Sequence, residues 1–243
     1  MLQGQCTHAS ATPSYWRRLL LFADRPLLGK IDLRQITLGG EAADQQILDS
    51  LQSTFPSARI AHIYATTELG RCFSVTDGRA GFPLSYLDGA TSDQVHLRIE
   101  SDQLLVRSAN AMRGYEKDQT GETAASHRDS KDGWFATGDL VHVDGDRVHF
   151  SGRAGEMINV GGNKVRPLMV EKIIREVPGV ADVRVFAKTS SIAGQLVACE
   201  VVPMDPNQQD HEALKLSIHQ ACAAQTVSLE GIHIPNAPTR VHG

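Results

Sequence analysis

The 243-residue chain has only four cysteines, Cys6, Cys72, Cys199 and Cys222, and no two of them form a C-x-x-C pair. That spacing gives no reason to expect a zinc site or a disulfide framework, and a reducing, cytoplasmic setting is the expectation. Long apolar runs are also lacking. None approaches the ~20 residues that cross a bilayer, and the opening MLQGQCTHAS has neither the basic stretch nor the apolar centre of a secretory leader. No membrane span is therefore expected. Basic residues are not concentrated: 24 Lys+Arg stand against 28 Asp+Glu, a net charge of −4, and Arg17-Arg18 is the one adjacent basic pair. Nucleic acid is not expected as a partner, because phosphate binding leaves a Lys/Arg stripe. What is present is ordinary globular composition, 41% hydrophobic and 21% charged, which excludes disorder, collagen and coiled coil as whole-chain readings and can bury a substantial core in one large or two modest domains.

Three zones follow one another along the chain. Up to about residue 80 the pattern alternates helix and strand. Thr12-Pro13 reads as an N-cap and first helical position, opening an apolar helix with Tyr15, Trp16, Leu19, Leu20 and Phe22. Ile36-Thr37-Leu38 is a short strand running into Gly39-Gly40; Ile47, Leu48, Leu51 and Phe55 recur at helical spacing, and Arg59 to Tyr64 returns to strand. This order belongs to the edge of an α/β sheet. From 81 to about 150 the period drops to two, with Val95, Leu97 and Ile99 on one face, and Val141, Val143, Val148 and Phe150 flank the turn Asp144-Gly145-Asp146. A β-rich subdomain is expected there. Beyond Gly152, strands (Val183 to Ala187, Leu196 to Val202) mix with helices (Leu168 to Glu176, His211 to Ala224), a small α+β unit.

Four segments appear in order: Gly39-Gly40-Glu41-Ala42, YATTELG from Tyr64 to Gly70, GWFATGDL from Gly133 to Leu140, and GRAGEMINVGGNKV from Gly152 to Val165. Together they resemble the adenylate-forming superfamily of acyl- and aryl-CoA synthetases, peptide-synthetase adenylation domains and firefly-type luciferases. The resemblance covers nearly the whole chain from Thr12 onward. It implies that residues 1–151 are the C-terminal part of a large AMP-binding domain, an α/β edge to about 80 and a β-rich subdomain at 81–151. Residues 152–156 would be a hinge and 157–243 a small α+β domain. The implied activity is ATP-dependent activation of a carboxylic acid through an acyl-adenylate, then thioester formation with CoA.

The residues fit that chemistry, and each also has a plainer reading. Glycines at Gly39-Gly40 let a planar group lie against the backbone, and the resemblance turns Gly39, Gly40 and Glu41 toward adenine; an ordinary strand-to-helix turn is the alternative. Tyr64 would stack on the base, or simply be core. A Thr67 hydroxyl can donate to a phosphate, and the Glu68 carboxylate can ligate a Mg²⁺ that bridges phosphates; the competing reading is a helix start with Glu in its first turn. Asp139 can accept both ribose hydroxyls, or be a turn residue after Gly138. Arg153 resembles the arginine that reaches the ribose or phosphate, and is otherwise solvated. Gly155 stands where the family carries Asp or Lys at its pivot. Gly162 would let a pantetheine arm pass, and Lys164 would meet a CoA phosphate. The substrate pocket is expected between Trp16 and Thr67, with His62 more a packed strand residue than a ligand.

Two family elements have no counterpart in these residues. A Ser/Thr/Gly-rich phosphate loop ending in lysine belongs upstream of Thr12, and a catalytic lysine follows a Gly near the C-terminus, where this chain reads Pro238-Thr239-Arg240-Val241-His242-Gly243. The expectation is a fragment, nearly inactive alone, whose partners are a carboxylic acid, CoA or a carrier-protein pantetheine, and the missing N-terminal portion of the same enzyme. The alternatives are a non-catalytic nucleotide- or CoA-binding module, or a peptide-synthetase-type adenylation domain.

Overall fold

A computed structural model describes residues 6–112, 133–190, 194–205 and 211–234. The terminal Pro238–Gly243 segment and its Arg240 lie outside the described residues. The chain divides into two units, Met1–Phe150 and Ser151–Gly243.

The first unit begins with β1 (His8–Ala11), α1 (Pro13–Phe22), the single turn α2 (Arg25–Leu28), β2 (Gln35–Leu38), α3 (Gln45–Thr54), β3 (Arg59–Thr66) and β4 (Gly70–Val75). The sheet order is β1-β2-β3-β4, with the first three strands parallel and β4 antiparallel. The first helix starts as read, and α3 starts at a cap that the sequence reading did not name. Thr12 Oγ1 accepts from Tyr15 N at 3.2 Å with Pro13 at the first helical position, and Asp44 Oδ1 accepts from Ile47 N at 3.0 Å. An Arg17–Asp44 ion pair at 2.5 Å ties one helix to the cap of the other. Trp16, Leu20, Ile36, Leu38, Ile47, Leu51 and Phe55 close over one another as a core. Each such side chain gains ~1.5–3 kcal/mol from full burial.

The rest of the unit is β-rich: β5 (Phe82–Pro83), a 3₁₀ turn at Leu84–Leu87, β6 (Val95–Glu100), β7 (Gln103–Ser108), β8 (Phe135–Asp144) and β9 (Arg147–Arg153), ordered β5-β9-β8-β7-β6. Val95 and Leu97 are buried as their alternation demands, while Val143, near the end of its strand, is 51% exposed. The β8–β9 turn is Gly145-Asp146, and Asp144 stays in the strand. Leu69, Phe73 and Val75 from the first sheet join Phe82, Leu104, Val106, Val141 and Val148 in a second core, so the two sheets of this unit share one apolar seam. The β4–β5 connection is locked by Arg147. Its guanidinium donates to Asp77 Oδ2 at 2.6 Å and to the carbonyls of Arg79, Ala80 and Gly81 at 2.9, 3.1 and 2.8 Å.

The second unit holds a 3₁₀ turn at Ala154–Glu156, β10 (Ile158–Val160), β11 (Asn163–Val165), α4 (Pro167–Arg175), β12 (Val180–Ser190), β13 (Gly194–Pro203), α5 (His211–Ala224) and β14 (Gly231–His233). Its sheet runs β11-β10-β13-β12, with β14 parallel to β13. Val170 and Ile174 of α4, Ile218 and Cys222 of α5, and Val183, Val185, Cys199 and Val201 of the strands make its core. The two strands read from sequence are the long pair β12 and β13; β10, β11 and β14 add to β13 and its neighbours. Three residues are too few for a period to register.

Candidate functional site

The motif residues of the first unit gather at the carboxyl ends of parallel strands, where open α/β sheets bind ligands. Leu38 pairs with His62 across β2 and β3, so the next residues, Gly39-Gly40, run beside Ile63-Tyr64. A side chain at Gly39 would put its Cβ 3.1 Å from Ile63 Cγ1, so glycine here permits the close approach of loop and strand. Glu41 is tied down: its Oε2 accepts from Ser14 N at 3.0 Å and Ser14 Oγ at 2.6 Å. That carboxylate sits on donors in the first turn of α1, a favourable place for negative charge.

Tyr64 and Asp139, 75 residues apart, meet. The Tyr64 hydroxyl donates to Asp139 Oδ2 at 2.5 Å, and Asp139 is 8% exposed. The carboxylate gets there through a bulge. Leu105 pairs with Ala136 and Gln103 with Leu140, leaving Thr137-Gly138-Asp139 to oppose Leu104 alone; bulges of this kind re-aim side chains. Gly138 adopts φ +76° within it, a backbone that costs any other residue. Thr137 braces the bulge: its Oγ1 donates to Leu104 O at 2.7 Å and accepts from Asp139 N at 3.1 Å. The Tyr64 ring stacks on Phe73 with centroids 5.2 Å apart and leans on Phe150 at 5.0 Å. Burial first, and then the Asp139 charge, push the phenol far above its ordinary range, so it stays a donor.

Thr67 and Glu68 lie in the turn joining β3 to β4. The alternative reading of a helix start does not occur, because Gly70 already opens an antiparallel strand. Thr66 Oγ1 caps this turn by accepting from Leu69 N at 3.2 Å, and Glu68 O accepts from Met112 N at 2.7 Å. Thr67 is exposed and Glu68 half-buried. A hydroxyl and a carboxylate at a turn suit a hard cation such as Mg²⁺, which takes one or two protein carboxylates and fills its shell with water and phosphate oxygens. His62 is a packed strand residue: its Nε2 meets Arg79 O at 3.1 Å, and burial is the main reason its pKa is lowered.

Arg153, Gly162 and Lys164 belong to the second unit. Arg153 ends β9. The segment that carries Gly162 and Lys164 is a hairpin: β10 and β11 pair antiparallel about Gly161-Gly162, with Lys164 opposite Asn159. Gly162 N donates to Asn159 Oδ1 at 3.0 Å, and Asn159 N to Gln195 Oε1 at 2.8 Å. Lys164 is exposed on this edge. At Gly155 a Cβ would meet nothing within 4 Å. A groove of about 620 Å³ beside β6, lined by His96, Arg98, Ile99 and Trp134 among others, takes Trp134 from the GWFATGDL segment but none of the candidate site residues; the Arg98 and Arg107 guanidinium carbons lie 4.5 and 4.9 Å from the Trp134 ring centre.

Thr137 stands in the GWFATGDL segment, but nothing in the sequence assigned it a role of its own. The collected groups offer a fixed carboxylate for a vicinal diol, an aromatic cluster, and a hydroxyl–carboxylate pair one turn away. Among the described residues no group of three His, Cys, Asp or Glu side chains is placed to hold a metal ion, and no helix is long and apolar enough to cross a membrane.

No family model matches the chain. It is 28% identical over 190 residues to indoleacetate–CoA ligase of Aromatoleum aromaticum, covering 73% of this chain and 36% of that protein. It is 26% identical over 247 residues to 4-coumarate-CoA ligase 2 of Narcissus pseudonarcissus, covering 91% and 42%. The chain thus spans less than half the length of these two relatives. Among solved structures, anthranilate CoA ligase AuaEII in complex with anthranoyl-AMP superposes with a TM-score of 0.72 at 20% identity, covering 95% of this chain and 46% of that one. ATP-bound MatB from Rhodopseudomonas palustris gives 0.73 at 22% identity, with 98% and 49% covered.

Proposed function

The chain is a relative of the CoA ligases and has the fold of the adenylate-forming enzymes, and from that premise we propose that it supplies the nucleotide- and thiol-handling part of an ATP-dependent acyl- or aryl-CoA ligase. In the first half-reaction the carboxylate of the acid attacks the α-phosphorus of ATP and pyrophosphate leaves. In the second, the CoA thiol attacks the acyl carbon and AMP leaves. Catalysis of both is mainly positioning and charge neutralisation.

Within this chain, Asp139 takes the ribose hydroxyls, and Gly39-Gly40 with Tyr64 border the base. Glu41 acts by fixing that loop to α1. Thr67 donates to the α-phosphate, and Glu68 would hold Mg²⁺, whose charge offsets that of the phosphates when bound. Arg153 is the second ribose or phosphate contact, residues 152–156 are the hinge, and Gly162 and Lys164 border the pantetheine path. The observation that carries this reading is the convergence of Gly39-Gly40, Tyr64 and Asp139 at one sheet end, from segments whose spacing alone gives them no reason to meet.

The test pairs two measurements on the chain and on the longest native polypeptide that contains it: calorimetry with AMP and CoA, and ATP–pyrophosphate exchange with a panel of aromatic and aliphatic acids. AMP binding by the chain, with exchange only in the longer form, is the expected result. Gly155, standing where the family carries Asp or Lys at its pivot, favours a second reading, a non-catalytic binding module. AMP binding with no exchange for any acid in the longest form would select it.

A further inference from the structure

We propose that Tyr64 serves the nucleotide site through its hydroxyl, as a positioning residue that sets the carboxylate plane of Asp139 for recognition of the ribose diol. This rests on the reading of Asp139 as the ribose acceptor.

A carboxylate on a bulge has two torsions to settle, and a vicinal diol is recognised bidentately only if the carboxylate plane is fixed before the ligand arrives. Two described contacts fix Asp139. Thr137 Oγ1 accepts from its backbone N–H at 3.1 Å and is itself anchored on Leu104 O at 2.7 Å. Tyr64 donates to Oδ2 at 2.5 Å. The phenol can act as a clamp because its ring is held between Phe73 and Phe150, and Phe73 in turn packs on Phe82 at 4.7 Å. A rigid ring carrying a permanently protonated hydroxyl makes a donor of fixed position. Stacking on a base would use the ring alone, and a phenylalanine would serve as well. A tyrosine here is explained by the bond its hydroxyl makes.

The two roles separate in an experiment that reads ribose discrimination. Dissociation constants for AMP and for 2′,3′-dideoxy-AMP are measured by calorimetry on the wild-type chain, on Tyr64→Phe and on Thr137→Val, with thermal melts alongside. Wild type should prefer AMP by about tenfold or more, as expected for hydrogen bonds to a charged group. Tyr64→Phe should weaken AMP about five- to tenfold while leaving dideoxy-AMP within about twofold, so that the preference collapses. Thr137→Val, which removes the brace on the Asp139 backbone and also the Thr137 hydrogen bond to the phenol, should erode the preference in the same direction, and decides the matter if Tyr64→Phe does not fold. Equal loss of both nucleotides in Tyr64→Phe, or an undiminished preference in the folded variants, overturns the proposal and leaves the ribose reading standing. A wild type that binds both nucleotides equally, or neither, overturns the ribose reading and this proposal with it.

Discussion

Replacing Arg147 with alanine should cost the first unit about 3–5 kcal/mol, the range for removing one partner of a buried charge cluster. The side chain is 4% exposed and Asp77 is 40% exposed, so the ion pair itself is partly screened and contributes only ~1 kcal/mol. The larger share comes from three backbone carbonyls, of Arg79, Ala80 and Gly81, which converge on the guanidinium at 2.8–3.1 Å. Hydrogen bonds to a charged group are worth ~1.5–3 kcal/mol each, and a simple sum over three would overshoot because water enters the space left by truncation. The loop they hold also receives Gln45 Nε2 on Gly78 O at 2.9 Å, and Ala80 N donates to Gln45 Oε1 at 2.9 Å. Truncation therefore loosens the connection between the two sheets. Both tryptophans, Trp16 and Trp134, lie in this unit, so urea unfolding followed by tryptophan fluorescence reports on it and not on the second unit. With m of ~2 kcal/mol/M the midpoint should fall by about 1.5–2.5 M. Asp77→Asn, which spares the carbonyls, should lower it by only about 0.5 M. A shift below about 0.5 M for Arg147→Ala, or equal shifts for the two variants, would refute the carbonyl-clamp account.

Gly81→Ala should be among the most damaging single-methyl changes, roughly 3 kcal/mol or more, because its Cβ would lie 2.4 Å from Val148 O at φ +70°; Gly155→Ala, with open space around it, should stay within about 0.5 kcal/mol in the same denaturation assay. Asp44→Ala removes both the α3 cap and the partner of Arg17, and should cost about 2 kcal/mol. A disulfide reagent should modify Cys6 rapidly and the buried Cys72, Cys199 and Cys222 only on unfolding. Burial pushes Cys72 and Cys199 up to about 12 from an ordinary 9.0. The folded chain thus retains protons that the unfolded chain gives up, so this stabilisation is complete below pH 9 and is lost as pH rises toward 12. A melting temperature that does not fall over that window contradicts the assignment.

Elements with strong local signals were legible. Thr12-Pro13 announces α1 because capping is a contact between near neighbours, α3 shows in the spacing of Ile47, Leu48 and Leu51, and β12 and β13 are long enough for their burial to stand out. The three-residue strands were not, although Gly161-Gly162 was a usable sign of a two-residue hairpin turn between β10 and β11. The site divides along the same line. Which residue types stand in the motifs could be read directly; what each one touches could not, since Tyr64 reaches Asp139 across 75 positions, Glu41 reaches Ser14 across 27 and Arg147 reaches Asp77 across 70. Arg147 follows a turn, where an arginine is ordinarily solvated, and only three inward carbonyls make it a buried clamp. The same reasoning bears on Asp139. Read alone, TGD is a turn with an acid after a glycine; the strand continues through it, so the glycine must be spent on a bulge. A bulge that delivers a carboxylate to within 8% exposure leaves a buried charge that costs several kcal/mol unless it is hydrogen-bonded. The Tyr64 hydroxyl offsets part of that cost at the carboxylate, while Thr137 holds the bulge through the Asp139 backbone N–H, and the arrangement predicts that the two hydroxyls and the acid stand or fall as one unit.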